Sequence, residues 1–439
     1  MSASAAKAFR TRNPEQFGLR TFSSLVIRVS GLGLIFGQAV LLARLFNVEN
    51  YGFAAMLLSG VQILSALTLM GLGPYAIVEV PRQIEEGKFG EARGLLHFSR
   101  MTVLASSAFL IILSVTFLPG TLTDAERAAS LFALFAIPAM AFIQLHRGHS
   151  LANSQLVMAQ LPGELLRPLL LMAILAVALA GLLTFKFGIT EFFAAFTVTA
   201  WIAAFVGWRA LPRQQRDMEI GLERAKRWML FAMPFYGTML VNMAQLEAGT
   251  VLLGILASPE AAGLYYPLAK CAFLLALPAY VLGLQYQPDA SRLTVTDDLS
   301  ELLRISQRFS FLNLSAVMVG GGLIGVFAVP LLSLFGPAFS EWASFLWVLV
   351  GGAFVYALSG PAAQLLTASG YAGKAFAGTA VALAVELALL TILIPRFGLG
   401  GAVWAVAAAM SLRATFHIIA CQKYCGLGPA QFFVLGRAQ

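Results

Sequence analysis

Five ionisable residues, Arg28, Glu247, Lys270, Glu386 and Arg413, stand inside long apolar runs. A charge at bilayer depth costs at least ~2.5–3.5 kcal/mol on insertion scales, so each marks a place to look for function. Arg28 lies ~12 Å into its run at 1.5 Å per residue, with no acidic neighbour on its own helix. A guanidinium there can grip a pyrophosphate through two parallel hydrogen bonds, or bond helix-end carbonyls or a lipid phosphate for structural reasons. Glu247 and Lys270 fall within ~2 Å of one depth on adjacent antiparallel helices, which reads as an ion pair. The functional alternative has Lys270 facing a cleft and binding phosphate while Glu247 titrates and couples an ion. Glu386 and Arg413 lie ~8 Å apart in depth and lean toward each other, because helical side chains tilt toward their N-terminus; they read as a structural pair.

Thr238, Asn242, Gln245 and Gly249 follow one another at helical spacing and make a stripe of small and polar groups on one face. Glu247 falls nearly opposite Gln245 on that helix, so the stripe and the carboxylate compete for the cleft side. The stripe is the preferred lining, with Gln62 as its counterpart. The substrate-binding set is thus Arg28, Gln62, Asn242, Gln245 and Lys270, with Glu247 as the ion-coupling group. No catalytic residue is expected. Asp297-Asp298-x-x-Glu301 precedes an apolar helix and reads as a capping-box variant, without a second acidic motif. His146-x-x-His149 lacks further ligands, and Cys271, Cys421 and Cys425 are small hydrophobes in apolar surroundings. No metal or cofactor is expected.

The elements that must position these residues are legible in the hydropathy. The chain has 439 residues, 59% apolar and 11% charged, with a mean hydropathy of +0.81. Soluble domains carry about 25% charged residues. Disulfide modules, disordered regulators, coiled coils and nucleic-acid binders are excluded. Apolar runs of the ~20 residues needed to span a bilayer are placed at 22–46, 51–74, 96–118, 127–146, 165–185, 190–210, 229–256, 262–287, 305–334, 342–367, 374–394 and 400–421. The expected fold is therefore an all-α polytopic membrane protein of twelve helices in two six-helix lobes. A cytoplasmic basic arm (1–21) precedes the first lobe (22–210), and a cytoplasmic linker (211–228) leads to the second (229–421) and a cytoplasmic tail (422–439). The first span follows the arm with no cleavage-site pattern and is expected to be retained. Of the 29 basic residues, twenty-two fall on the side of the N-terminus, four on the other and three within spans. That bias predicts that both termini are cytoplasmic, and it accounts for the net charge of +8 without a polyanion partner. Pro138, Pro234, Pro267, Pro278, Pro330 and Pro361 fall within spans, where each kinks its helix as a static feature or as a bend used in motion.

The chain also repeats itself. Leu41, Leu42, Leu45, Glu49 and Gly52 recur at the same spacing as Leu252, Leu253, Leu256, Glu260 and Gly263, and Pro81 with Leu95-Leu96-x-x-Ser99 recurs as Pro288 with Leu302-Leu303-x-x-Ser306. Six spans per half give both halves the same orientation, as in parallel repeats about an axis along the membrane normal. Leu42-Ala-Arg-Leu45, Glu49-x-Tyr-Gly52, Gly71-Leu-Gly73, Glu260-x-x-Gly-x-Tyr265 and Phe335-Gly336-x-x-Phe339 together resemble the polysaccharide-transporter branch of the multidrug/oligosaccharidyl-lipid/polysaccharide flippase superfamily. The resemblance covers essentially the whole chain. It implies two lobes working by alternating access in the inner, cytoplasmic membrane. It also implies a polyprenyl-pyrophosphate-linked oligosaccharide as cargo for cell-surface polysaccharide synthesis, with a polysaccharide polymerase as a further partner. An ion-coupled multidrug or small-solute antiporter of the same fold is the alternative. Three basic residues against two acidic ones at mid-span favour anionic cargo.

Overall fold

The computed structural model describes residues 14–182, 186–211, 222–296 and 298–433. Lys7, Arg10 and Arg12 of the arm, the middle of the linker, Asp297 and the end of the tail lie outside the described residues. Among those described, every regular element is helical, and eleven helices are long and apolar enough to cross a membrane. A backbone in hydrocarbon must satisfy its own hydrogen bonds, which a helix does within one segment.

The helices run α1 (Pro14–Leu45), α2 (Val48–Leu69), α3 (Leu72–Glu85), α4 (Phe89–Thr116), α5 (Asp124–Ala152), α6 (Leu156–Gln160), α7 (Arg167–Leu179) and α8 (Ile189–Ala210). They continue with α9 (Leu222–Leu256), α10 (Pro259–Leu274), α11 (Leu277–Thr296), α12 (Leu299–Val326), α13 (Ala328–Ser333), α14 (Pro337–Ser340), α15 (Ser344–Ala357), α16 (Ala362–Ala368), α17 (Ala372–Cys425) and α18 (Pro429–Phe433). A π-helical turn, Leu161–Leu166, joins α6 to α7.

The twelve expected spans become eleven helices because the last two are continuous in α17, whose 54 residues hold one non-helical residue, Gly398, at φ 53° and ψ −132°. A Cβ on Gly401 would overlap the carbonyl oxygen of Leu393. Eight residues of straight helix would separate those positions by ~12 Å. The chain therefore reverses at Gly398, and the segments on either side are each long enough to cross. Three of the expected proline kinks are absent for a related reason. Pro278 and Pro330 occupy the first turns of α11 and α13, and Pro361 caps α16. The N–H that proline lacks has no intrahelical partner at such positions. Pro138, Pro234 and Pro267 do lie inside helices.

The chain divides into two compact units, residues 1–45 with 60–240, and residues 46–59 with 241–439. In the first, α5 is buried along most of its length and packs against α8, α3 and α4. Thr197 and Trp201 of α8 donate to the carbonyls of Phe132 and Phe135 at 2.7 and 3.2 Å. A Cβ on Gly148 of α5 would overlap the carbonyl of Gly73 of α3. Such small-residue contacts let backbones close where lipid supplies no hydrophobic drive. Gly71, at φ 74°, starts α3 in a left-handed conformation, and its missing Cβ leaves room for the Ala232 carbonyl 2.5 Å from where that atom would stand.

In the second unit the repeated motifs meet each other. A Cβ on Gly52 would overlap the carbonyl of Pro259, and one on Gly263 would stand 2.7 Å from the carbonyl of Val48. Gly52 and Gly263 are the corresponding glycines of the two repeats, and Val48 and Pro259 the corresponding first residues of α2 and α10. The contact is reciprocal, as at a two-fold interface. The repeated Glu49 and Glu260 stand in the first turns of these helices, where the positive end of the helix dipole favours an anion. The segment after α17 packs into this unit as well. Leu427 and Phe432 join Tyr286, Leu302, Phe309 and Leu365 in one core, and Gln307 donates to the carbonyl of Gln431 at 3.0 Å.

Candidate functional site

Glu247 is the hub of a polar network inside the second unit. It lies on α9, 3% exposed. Its Oε1 accepts from Lys270 Nζ of α10 at 3.0 Å, and its Oε2 accepts from the Ser59 hydroxyl of α2 at 2.7 Å. Three helices are thereby tied to one carboxylate. Lys270 is further held over the ring of Tyr266, 4.6 Å from its centroid. Tyr266 precedes it by one helical turn, so the two share a face.

A second cation stands in the same unit. Arg413 of α17 donates through Nη1 to Gln245 Oε1 at 3.0 Å and lies 5.0 Å from the centroid of Tyr356. Among the described residues it forms no ion pair with Glu386. This corrects the expected pairing. The tilt of helical side chains fixes their depth but not their direction around the axis, and Gln245 of α9 is the group within reach. Glu386 is 2% exposed, and its Oε1 has no hydrogen-bond partner among the described residues.

The stripe on α9 divides along its length. Thr238 and Asn242 are exposed, Gln245 is half-buried, and Gly249 is buried against Tyr265, whose ring a Cβ would approach to 3.2 Å. Glu247 is buried on the same stretch, so Gln245, Gly249 and the carboxylate all meet neighbours within the unit, while Thr238 and Asn242 do not. Of the expected set, Glu247, Lys270, Gln245 and Arg413 are brought into two bonded groups. Arg28 and Gln62 belong to the first unit. Arg28 is half-buried on α1, three residues before Gly31, whose Cβ would overlap the carbonyl of Glu164 in the π-helical turn. Glu164 in turn pairs with Arg147 at 3.1 Å. Gln62 is half-buried, and its Oε1 has no hydrogen-bond partner among the described residues.

Sequence reasoning passed over Ser59, Tyr266 and Tyr356. The Tyr266-x-x-x-Lys270 spacing was a usable signal, because side chains four apart stack on one helical face. Nothing in the sequence marks Ser59 or Tyr356, which act across helices. Outside the network, Asp298 caps α12 by accepting from the backbone N–H of Glu301 at 3.1 Å. His149 Nδ1 lies 3.1 Å from the Leu145 carbonyl, and His146 stacks on Phe142. Among the described residues, no group of three or more His, Cys, Asp or Glu is placed to hold a metal ion.

The family model for polysaccharide biosynthesis proteins matches residues 19–279, more than half of the chain. The chain belongs to that family. Solved structures share the fold at low identity. A multidrug resistance MATE family transporter of the MOP superfamily, in an inward-facing conformation, is 12% identical with a TM-score of 0.73, over 91% of this chain and 97% of the other. The lipid II flippase MurJ is 15% identical with a TM-score of 0.67, over 95% and 89%. A MOP superfamily transporter from Pyrococcus furiosus is 12% identical with a TM-score of 0.66, over 92% and 94%. No curated protein sequence is significantly similar to the chain. This member of the polysaccharide biosynthesis family is thus a multi-pass membrane protein with a transporter fold.

Proposed function

We propose that the protein is a flippase that carries polyprenyl-pyrophosphate-linked oligosaccharide repeat units across the cytoplasmic membrane by alternating access. The observation that supports this reading most directly is the placement of two basic side chains, Lys270 and Arg413, deep in the second unit on the faces of Tyr266 and Tyr356. Cations on aromatic faces suit a ligand that joins phosphate to sugar. The cation contributes charge-assisted hydrogen bonds to phosphate, and the aromatic ring an apolar face with a polar tip. Family membership favours a polysaccharide precursor over the drug cargo of a multidrug antiporter. Gln62, Asn242 and Gln245 supply amides for sugar hydroxyls, and Arg28 a guanidinium for the diphosphate. Glu247 keeps Lys270 oriented and is the group through which an ion gradient acts. The charge bias supports cytoplasmic termini, and a polysaccharide polymerase is the downstream partner in this reading. The test is genetic. Deletion of the gene leads to accumulation of lipid-linked repeat units on the cytoplasmic leaflet, and normal export from the deletion strain would refute the reading.

A further inference from the structure

The two ends of α17 meet. Tyr371 caps its first turn and Tyr424 stands in its last, yet their ring centroids are 5.1 Å apart, because the reversal at Gly398 brings the second arm back to the level of the first. Lys374 of the first arm and Lys423 of the second both set their ammonium groups on the Tyr424 ring, 5.3 and 5.6 Å from its centroid. Two like charges are thereby gathered on one ring. Both lysines are exposed, and among the described residues neither forms an ion pair. The ring attracts each cation but carries no net charge, so the pair stays uncompensated. Beside it the ground is open, since a Cβ on Gly370, Gly373 or Gly426 would meet nothing within 4 Å.

We propose that Lys374, Lys423 and Tyr424 form a clamp for the phosphodiester of an anionic bilayer phospholipid, which ties the start of α17 to its end. Place and charge both support this ligand. The two lysines bound the apolar runs 374–394 and 400–421, where tyrosines sit at headgroup level and lysines reach into the polar layer. Farther along each arm the outward side chains are apolar. Ile419, one turn before Lys423, is 58% exposed, and Val381, two turns after Lys374, is 45% exposed. Acyl chains lie against such a surface while the headgroup rests at the ring. A phosphodiester accepts charge-assisted hydrogen bonds from both ammonium groups, and basic side chains at a span end draw anionic lipid. A zwitterionic headgroup brings a cation of its own and forfeits that gain. The clamped lipid is a lasting part of the surface of the second unit and not transported cargo, so the clamp stands whether or not the flippase reading does.

The test is binding of phosphatidylglycerol to the full-length protein in detergent, read as lipid adducts by native mass spectrometry. Thermal unfolding is recorded alongside in nanodiscs of phosphatidylcholine with and without phosphatidylglycerol. Lys374→Gln and Lys423→Gln each weaken binding about fivefold, and together about thirtyfold. Tyr424→Leu, which keeps both charges and removes the ring that gathers them, weakens it about threefold. Arg304→Gln with Arg308→Gln, which removes two exposed charges from α12, leaves it unchanged. Phosphatidylglycerol raises the unfolding temperature of the wild type but not of the double lysine variant, and in phosphatidylcholine alone that variant melts no lower than the wild type. The combination separates loss of a ligand from loss of structure. Wild-type affinity in the double lysine variant or in Tyr424→Leu, or an equal loss in the arginine control, overturns the clamp. Displacement of the lipid by inorganic phosphate at equal concentration overturns the choice of a lipid over a free anion, and equal binding of phosphatidylcholine overturns the choice of an anionic headgroup.

Discussion

Removal of Lys270 should cost more than removal of Lys270 and Glu247 together. In Lys270→Ala the Glu247 carboxylate keeps one hydrogen bond, from Ser59 at 2.7 Å, and loses its counter-ion in a site only 4% exposed at the side chain. Breaking a buried pair by deleting one partner costs ~3–5 kcal/mol. The retained bond to a charged acceptor, worth ~1.5–3 kcal/mol, keeps the cost at the lower end, about 3 kcal/mol. The double variant Glu247→Ala with Lys270→Ala leaves only the Ser59 hydroxyl without its acceptor, about 1 kcal/mol. Adding Glu247→Ala to Lys270→Ala should therefore recover about 2 kcal/mol. The single variants should also be unequal. Lys270 retains the face of Tyr266 and a side chain 19% exposed, so Glu247→Ala is milder than Lys270→Ala. Denaturant unfolding of the purified protein in detergent, followed by tryptophan fluorescence, measures all three. A double variant as unstable as Lys270→Ala would refute the reasoning.

The reciprocal glycine contact predicts that Gly52→Ala destabilises by ~1–3 kcal/mol through overpacking, whereas Gly60→Ala, whose Cβ would meet nothing within 4 Å, is neutral or stabilising in the same unfolding assay. Phe432→Ala should cost ~3–5 kcal/mol, because its ring is 1% exposed in a core of the second unit; an unchanged unfolding midpoint would show that α18 is dispensable. A cysteine at Ser258 should react with a membrane-impermeant maleimide from outside, and one at Gly87 should not; the opposite pattern would reverse the orientation drawn from the basic-residue bias. The backbone N–H of Glu301 and the Ser300 hydroxyl hold the Asp298 carboxyl below the usual carboxylate range. Its cap therefore contributes at neutral pH and is lost as pH falls through that lowered value. Wild type and Asp298→Ala should differ in melting temperature at pH 7 and converge in acid, and a constant difference would remove Asp298 as the cause.

The spans were legible because bilayer thickness imposes a length on every crossing, and even α17 divides where Pro395 and Gly398 interrupt the apolar run. Depth was legible too. Glu247 and Lys270 meet as the common rise of 1.5 Å per residue requires. Direction around the helix axis was not, since it depends on neighbours that the sequence does not order. Arg413 was expected on Glu386 and is found on Gln245. Ser59 is invisible in the same way, a small hydroxyl whose role exists only because α2 passes beside Glu247. The glycines of the repeat were visible as a pattern, while their reason, backbone contact between the repeated segments themselves, required the fold.

The sharp reversal at Gly398 bears on how the chain enters the bilayer. The turn between the last two crossings is too short to serve as an independent hydrophilic loop, and Arg396 lies within it. In the folded protein the carbonyl of Leu393 lies against the backbone of Gly401, so the two arms leave the turn side by side. Entry of the pair as one hairpin, with the guanidinium of Arg396 at its tip, is the expected consequence. Lengthening this turn would uncouple the two arms during biogenesis, and the loss would appear as misinserted protein before any effect on the folded molecule.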